Sequence, residues 1–252
     1  MTEMEIGSVR RATFGRDGFL SRIPVLGKEE AAGVRAAFDA LEATEGKERC
    51  QVGLLDRHVD QRFVWEVATH PAIMDAAEEV LGPDVMLLAT HFFCKYPTAG
   101  GEKRFVAWHQ DVTYWGLEPP LAVTAWYAVD DADVENGCMR VIPGTHRGIR
   151  EHGTSDRAGN LLSINQEVPV TTAEEQSAVD LCLRAGEASL HHGMSIHGSN
   201  PNLSSRRRCG MTIRFVPPYV RQTAINSQGR RWNAMLVRGE DRYGHFSQPG
   251  PG

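Results

Sequence analysis

The sequence predicts an antiparallel β core with helices packed against one of its faces. Helical periodicity is confined to roughly the first third of the chain, and strand-like runs separated by turn signals follow it. Most of the histidines fall in the strand-rich part. Helices first and strands afterwards favour a mixed domain with the helices on one side of a sheet.

Three helices are predicted before the β region, and they cover residues 28–44, 59–68 and 71–81. The first has Ala31, Phe38 and Leu41 at helical spacing. Pro71 opens the third, because proline is favoured in the first turn of a helix. Residues 12–27 are expected to form an entry loop and a short strand.

The β region contains six predicted strands, at residues 84–94, 104–112, 121–130, 138–142, 186–197 and 208–216. The dipeptide Asn136-Gly137 is typical of a hairpin turn between strands. Residues 149–166 form a long polar loop, and loops of this length are often functional lids. No segment has the composition of a linker, so we expect one domain over residues 1–252.

Composition and charge argue against several classes of protein. The net charge is −5, and the single basic run, Arg206 to Arg208, is too short for a nucleic-acid surface. No apolar run is long enough to cross a membrane, and no signal peptide is evident. The five cysteines include no CxxC pair, which fits a cytosolic protein. No heptad pattern or apolar stripe indicates an oligomeric state.

Residues 107–116, AWHQDVTYWG, place two potential metal ligands two positions apart. Residues i and i+2 of a strand face the same way, so His109 and Asp111 point to one place and Gln110 to the other. A third ligand is expected in EASLHHGMSIHGSN, where His197 and His191 would share a strand face.

Two imidazoles and one carboxylate form the facial triad of non-heme Fe(II) oxygenases. A hydrolytic zinc site with the same ligands is an alternative interpretation. A second alternative is that His109 and Asp111 are simply polar residues on a half-exposed strand. Arg208 begins the last predicted strand, where its planar guanidinium suits a carboxylate. A solvated basic turn is the alternative interpretation.

Four segments together resemble one known family. They are FGRDGFL at 14–20, WHQDVTYWG at 108–116, AWYAVDDADVENGCMRVIPGTHRG at 125–148, and IHGSNPN at 196–202. Arg208 follows His197 by eleven residues. In this order they resemble the phytanoyl-CoA dioxygenase family of Fe(II)/2-oxoglutarate-dependent oxygenases, over roughly residues 14–216.

The resemblance implies a fold and a cofactor site. The fold is mainly β with α, a double-stranded β-helix (a cupin-like jelly roll) with N-terminal helices packed on one sheet. His109, Asp111 and His197 would bind Fe(II), and Arg208 would hold the distal carboxylate of 2-oxoglutarate. The other co-substrate contacts that it implies are Trp126, Ser199, Gln110, Thr124 and His91.

The resemblance also implies a reaction with O₂ that releases succinate and CO₂ and oxidises a C–H bond of a small molecule or natural-product intermediate. Related halogenases lack the carboxylate ligand, so Asp111 predicts hydroxylation or desaturation. Candidate substrate residues are Tyr114, Trp115, Met139, His191 and Arg214. A metal-dependent hydrolase and a non-catalytic jelly-roll binding protein remain the alternatives.

Overall fold

The computed structural model describes residues 3–97, 103–162, 164–226, 229 and 231–247. The helices are Glu3–Asp17 (α1), Lys28–Glu45 (α2), Lys47–Val52 (α3), Arg62–Ala68 (α4), Pro71–Leu81 (α5) and Thr172–Ser177 (α6). Short 3₁₀ turns cover Arg57–Val59, Asp111–Tyr114 and Thr145–Arg147.

The strands alternate with loops through the rest of the chain. They are Phe19–Pro24 (β1), Val85–Lys95 (β2), Val106–His109 (β3), Leu117–Glu118 (β4), Val123–Ala128 (β5), Met139–Val141 (β6), Gly153–Thr154 (β7), Gln166–Glu167 (β8), Val179–Leu181 (β9), Glu187–His192 (β10), His197–Ser199 (β11), Arg208–Val216 (β12), Arg221–Gln222 (β13) and Met235–Arg238 (β14).

Two antiparallel sheets form the core. The main sheet has the strand order β1-β10-β5-β12-β2-β14, and the second has the order β3-β11-β6-β9. Trp126 and Ala128 of the main sheet share an apolar cluster with Met139, Val141 and Leu181 of the second. The sheets therefore pack face to face, as in a double-stranded β-helix, or jelly roll, which confirms the predicted fold.

The helices cover the outer face of the main sheet. Phe38 of α2 and Ile73 of α5 lie in one buried cluster with Leu190, Met211 and Phe215 of the sheet. Because successive side chains of a strand alternate between faces, β12 turns its apolar residues toward the helices. The same alternation turns Arg208, Gly210, Thr212 and Arg214 toward the second sheet. Arg208, Thr212 and Arg214 line a cavity between the two sheets.

Three local predictions were wrong in detail. Residues 3–17 form helix α1 where an entry loop was expected for 12–17. Residues 186–197 are two strands in different sheets, because the turn at 193–196 carries the chain from β10 to β11. Asn136-Gly137 is a turn between the two sheets and does not join paired strands.

Within the described part of the chain, no helix combines the length and the apolar character that a membrane span requires.

Candidate active site

Three side chains that could hold a metal ion meet at the edge of the second sheet. His109 ends β3 and is paired directly with His197 of β11. The strand stops there, but Gln110 keeps an extended backbone and Asp111 opens a 3₁₀ turn. The ligand atoms of His109, Asp111 and His197 lie within 4.8 Å of one another, and all three residues are buried.

Backbone contacts orient both imidazoles. The Nδ1–H of His109 donates to the carbonyl of Ala107 at 2.9 Å, and the Nδ1–H of His197 donates to that of Ser195 at 3.0 Å. A donor at Nδ1 leaves Nε2 with its lone pair free for a metal ion. Burial lowers the pKa of His197 well below its usual range, which keeps this imidazole neutral.

Neighbouring side chains hold Asp111 from both sides. The hydroxyl of Thr124 donates to Oδ2 at 3.1 Å, and Nε2 of His191 lies 3.6 Å from the same oxygen. Nε2 of His109 lies 3.6 Å from Oδ1. Burial disfavours the carboxylate, but the facing rings of His109, His191 and His197 and the positive charge of Arg214 outweigh it, so the pKa of Asp111 lies well below its usual range. The carboxyl group is therefore ionised and ready to bind a cation.

The three ligands line a cavity of about 40 Å³, here called the inner cavity. Its polar lining is His191, Ser199, Arg208, Thr212 and Arg214, besides the ligands themselves. Its remaining lining is Phe93, Val106, Trp126, Met139 and Gly198. The cavity therefore lies between the two sheets and combines cationic and aromatic surface.

Arg208 is one of the two arginines that line the inner cavity. Its side chain is 2% exposed, and its guanidinium lies 5.4 Å from the centre of the Trp126 ring. Its Nε has no hydrogen-bond partner, and Nη1 reaches only the carbonyl of Phe93, at 3.4 Å. An anion in the cavity would satisfy these donors.

Two supports fix the wall around Arg208. Trp126 lies flat over Gly210, since a Cβ at Gly210 would stand 1.9 Å from its ring. The buried amino group of Lys95 donates to Oγ of Ser199 and to the carbonyl of Asn200. Glycine at position 210 and lysine at position 95 thus place the cavity residues, although neither lines the cavity.

Two of the ligands, His109 and Asp111, also line a second cavity of about 150 Å³, here called the outer cavity. It shares Phe93, His109, Asp111 and Arg214 with the inner cavity. Its own apolar lining is Val52, Leu55, Trp115, Leu161, Leu162, Ile164 and Trp232. His91 and Asn226 complete it, so His109 and Asp111 border two chemically different spaces, while His197 borders only the inner one.

The structure separates the candidate co-substrate residues into groups. Trp126, Ser199 and Arg208 line the inner cavity together. Thr124 binds Asp111 and lines neither cavity. His91 lies in the outer cavity, where its Nε2 is 2.7 Å from the carbonyl of Val52, and not beside Arg208.

Gln110 belongs to neither cavity, because its amide is committed to backbone. Its Nε2 donates to the carbonyls of Gly148 and Met194 at 2.7 and 2.6 Å, and its Oε1 accepts from the N–H of Arg150 at 2.8 Å. The Gln110 side chain therefore anchors the loop that follows β6, and it does not line the co-substrate cavity.

The candidate substrate residues also divide. Met139 and His191 line the inner cavity, Trp115 lines the outer one, and Arg214 lines both. The side chain of Tyr114 lies outside what the structure describes. His191 reaches the site from β10 of the main sheet and not from the strand of His197; their ring centres are 4.4 Å apart.

Some lining residues were not predicted individually from the sequence, although the 149–166 loop as a whole was expected to be functional. Phe93 could have been found, because it lies two positions after His91 and shares its strand face. Leu161, Leu162 and Ile164 come from the 149–166 loop, and Asn226 and Trp232 come from the C-terminal region. These loop residues have no periodic pattern that would place them at a site.

Comparison with known proteins identifies the family. The profile of the family described as Phytanoyl-CoA dioxygenase (PhyH) matches residues 14–210. The chain belongs to this family.

The PhyH match is supported by similar proteins and structures. The human protein named Phytanoyl-CoA dioxygenase, peroxisomal, is 28% identical over 159 residues, covering 62% of this chain and 47% of that protein. The chain spans about half the length of the curated relatives it matches. The apo form of the non-heme monooxygenase ThoJ is 30% identical with a TM-score of 0.74, covering 95% of this chain and 86% of ThoJ.

A more distant structure shares the PhyH fold. The epimerase SnoN, solved with Fe³⁺, alpha ketoglutarate and nogalamycin RO, is 22% identical with a TM-score of 0.73. The match covers 94% of this chain and all of SnoN, at 100%. Proteins of this fold therefore include an epimerase as well as a monooxygenase.

Proposed function

We propose that this chain is an Fe(II)- and 2-oxoglutarate-dependent dioxygenase that hydroxylates a small molecule. The observation that carries the proposal is the buried set of His109, Asp111 and His197, with both Nε2 atoms and an ionised carboxylate facing one point. Two imidazoles and one carboxylate fit Fe(II) and leave positions open on the metal. A structural zinc site would require a fourth protein ligand.

The inner cavity fits 2-oxoglutarate. The donors of Arg208 that lack partners suit the distal carboxylate, and Ser199 lies on the same wall. Trp126 and Met139 would cover the aliphatic part of the molecule. The three metal ligands line the same cavity, so the keto-acid end of the co-substrate would face the iron.

Together, bound Fe(II), 2-oxoglutarate and O₂ supply oxidative decarboxylation, which yields succinate, CO₂ and an oxidant for a C–H bond. The chain's own contribution is orientation and exclusion of water. The hydroxyl of Thr124 donates to Oδ2 of Asp111, and the backbone fixes the imidazoles of His109 and His197. Because Asp111 fills the carboxylate position of the triad, we propose hydroxylation and not halogenation.

The test is anaerobic addition of Fe(II) and then 2-oxoglutarate to the purified protein. We expect a weak visible charge-transfer band in the wild type, and loss of that band at the same 2-oxoglutarate concentration in Arg208→Ala. Arg206→Ala is the matched control, since Arg206 is a surface residue paired with Asp133 at 2.6 Å. Its band should equal that of the wild type.

Two results would contradict the proposal. One is a wild-type protein that binds Fe(II) but gives no band with 2-oxoglutarate. The other is an Arg208→Ala variant that behaves like Arg206→Ala. Hydrolytic activity with Zn²⁺ that needs neither O₂ nor 2-oxoglutarate would favour the hydrolase instead.

A further inference from the structure

Arg214 is a buried cation that forms no ion pair with any described carboxylate. Its side chain is 7% exposed, and its Nε has no hydrogen-bond partner. Its guanidinium lies 5.0 Å from the centre of the Trp115 ring, and no described carboxylate forms an ion pair with it. A buried unpaired charge is costly, so its retention calls for a partner that the chain itself does not supply.

Arg207, at the start of the same strand region, is a partly buried arginine whose charge is balanced by ion pairs. Arg207 forms ion pairs with Asp130 at 2.8 Å, with Asp39 at 2.7 Å and with Glu42 at 3.0 Å. Arg214 has nothing comparable. Burial lowers the pKa of Arg214, and the charges of Asp111 and then Asp56 act against that effect without forming an ion pair. Under the proposed function the Asp111 carboxylate is bound to the metal ion.

The outer cavity places this cation in mostly apolar surroundings. Asp111 and Arg214 are its only charged lining residues in the described part of the chain. Leu161, Leu162 and Ile164 of the long loop line it together with Trp115 and Trp232. The Trp115 ring lies 5.0 Å from the guanidinium, and Trp232 packs edge-on against Trp115. Once Asp111 holds a metal ion, the cavity presents one free positive charge and a largely apolar wall.

We propose that the substrate of this site is a small amphipathic anion. Its carboxylate or phosphate group pairs with Arg214, and its apolar body lies against the loop residues of the outer cavity. This inference rests on the proposed function, because it assigns the inner cavity to 2-oxoglutarate and the outer one to the substrate. The planar fork of arginine suits either oxyanion, so the shared chemistry is the negative charge at one end.

The test is calorimetric titration of octanoate, octyl phosphate and octanamide into the anaerobic protein saturated with Fe(II) and 2-oxoglutarate. Saturation with 2-oxoglutarate keeps the probes out of the inner cavity. Octanamide has the chain length of octanoate without its charge. We expect octanoate or octyl phosphate to bind at least about tenfold more tightly than octanamide, as for a charge-assisted hydrogen bond. Whichever of the two anions binds better indicates the substrate's head group.

Variants assign that preference to Arg214. Arg214→Met should reduce the preference for the anion to less than about threefold, and Arg214→Lys should keep part of it. Arg221→Met is the matched control, because Arg221 is an exposed residue paired with Glu118 at 2.9 Å. It should bind all three probes as the wild type does. Replacing an unpaired buried charge by an apolar side chain should also leave the unfolding temperature unchanged or raise it.

Three outcomes would overturn the inference. They are equal binding of octanoate and octanamide by the wild type, undiminished octanoate binding by Arg214→Met, and loss of the Fe(II)·2-oxoglutarate band in Arg214→Met. The last would assign Arg214 to the metal or co-substrate site. If the wild type itself gives no band but anion binding still depends on Arg214, the proposed function fails and the anion site stands.

Discussion

The two cavities that share His109 and Asp111 are built from different kinds of structure. Every residue that lines the inner cavity, except Asp111, lies in a β-strand. Much of the outer cavity comes from loops, namely the 149–166 loop and the region after β13. Arg208 lines only the inner cavity, and Arg214, six positions along the same face of β12, lines both.

This difference indicates how the fold divides its work. Ladder hydrogen bonds fix strand residues, so the inner cavity can hold one co-substrate in one geometry. Loops tolerate substitution far better, so the outer cavity can change with the substrate. The PhyH profile ends at residue 210, before Arg214, Asn226 and Trp232. The family match therefore includes most of the inner lining and leaves out part of the outer one.

The largest expected effect is at the ligands that both cavities share. Asp111→Ala removes one of three protein ligands, which should cost more than the roughly 10- to 100-fold typical of losing an outer partner. We expect at least about a thousandfold loss of Fe(II)-dependent succinate formation. Iron content and succinate release measure it.

Asp156→Ala is the control for that variant, since Asp156 is exposed on the 149–166 loop. It should keep wild-type iron content. Undiminished succinate release by Asp111→Ala would show that Asp111 is not a metal ligand. It would also contradict the assignment of the metal ion to the border between the two cavities.

We expect protonation of His192 at acid pH to lower the folding stability of the strands that form the inner cavity. Burial first, then His146 and His191, lower the pKa of His192 to about 4. Its Nδ1 accepts from the N–H of Met194 at 3.0 Å, in the turn that leads to His197. A lowered pKa means that the unfolded chain takes up the proton first as the pH falls.

The contribution of His192 to stability is therefore fully present above about pH 6.5 and is lost toward pH 4, by up to about 3 kcal/mol. Urea unfolding at pH 7 and pH 4.5 measures this loss. His192→Asn keeps an acceptor for Met194 without titrating, so it should lose less stability than the wild type. His245→Asn, at an exposed position, should follow the wild type. Equal losses in all three proteins would show that His192 does not control the turn.

Gly210→Ala tests the inner cavity alone. The new methyl group would collide with the ring of Trp126, which forms the wall under Arg208. Overpacking of this kind costs about 1–3 kcal/mol, so we expect weaker 2-oxoglutarate binding by about tenfold and a lower unfolding temperature. A titration of the charge-transfer band measures the first effect.

Gly33→Ala on α2 is the matched control, because nothing lies within 4 Å of the added Cβ. It should leave 2-oxoglutarate binding unchanged and slightly stabilise the helix. If Gly210→Ala binds 2-oxoglutarate as tightly as Gly33→Ala does, Trp126 is not part of the co-substrate wall.

The same division explains how much the sequence predicted. The alternation of residues in β12 predicted which face carries Arg208. The HxD spacing predicted that His109 and Asp111 lie together. His191 and His197 were expected on one strand, because residues 193–196 have no strong turn signal. Helix α1 was missed, since its apolar residues are few and scattered. Leu162 and Trp232 reach the outer cavity through loops, whose tertiary path leaves no periodic pattern in the sequence.

The smallest expected effect is in the outer cavity, at Leu162. This side chain is half-buried in a loop, so Leu162→Ala should cost less than about 1 kcal/mol of stability and leave the 2-oxoglutarate band unchanged. Leu190→Ala is the strand counterpart: Leu190 is fully buried in β10, where the same truncation costs about 2–5 kcal/mol. Thermal unfolding compares the two.

Because Leu162 lines the space assigned to the substrate, its truncation should weaken octanoate binding by a few-fold while 2-oxoglutarate binding stays constant. If Leu162→Ala instead weakens 2-oxoglutarate binding, the two cavities are one site, and the loop belongs to the co-substrate as much as to the substrate.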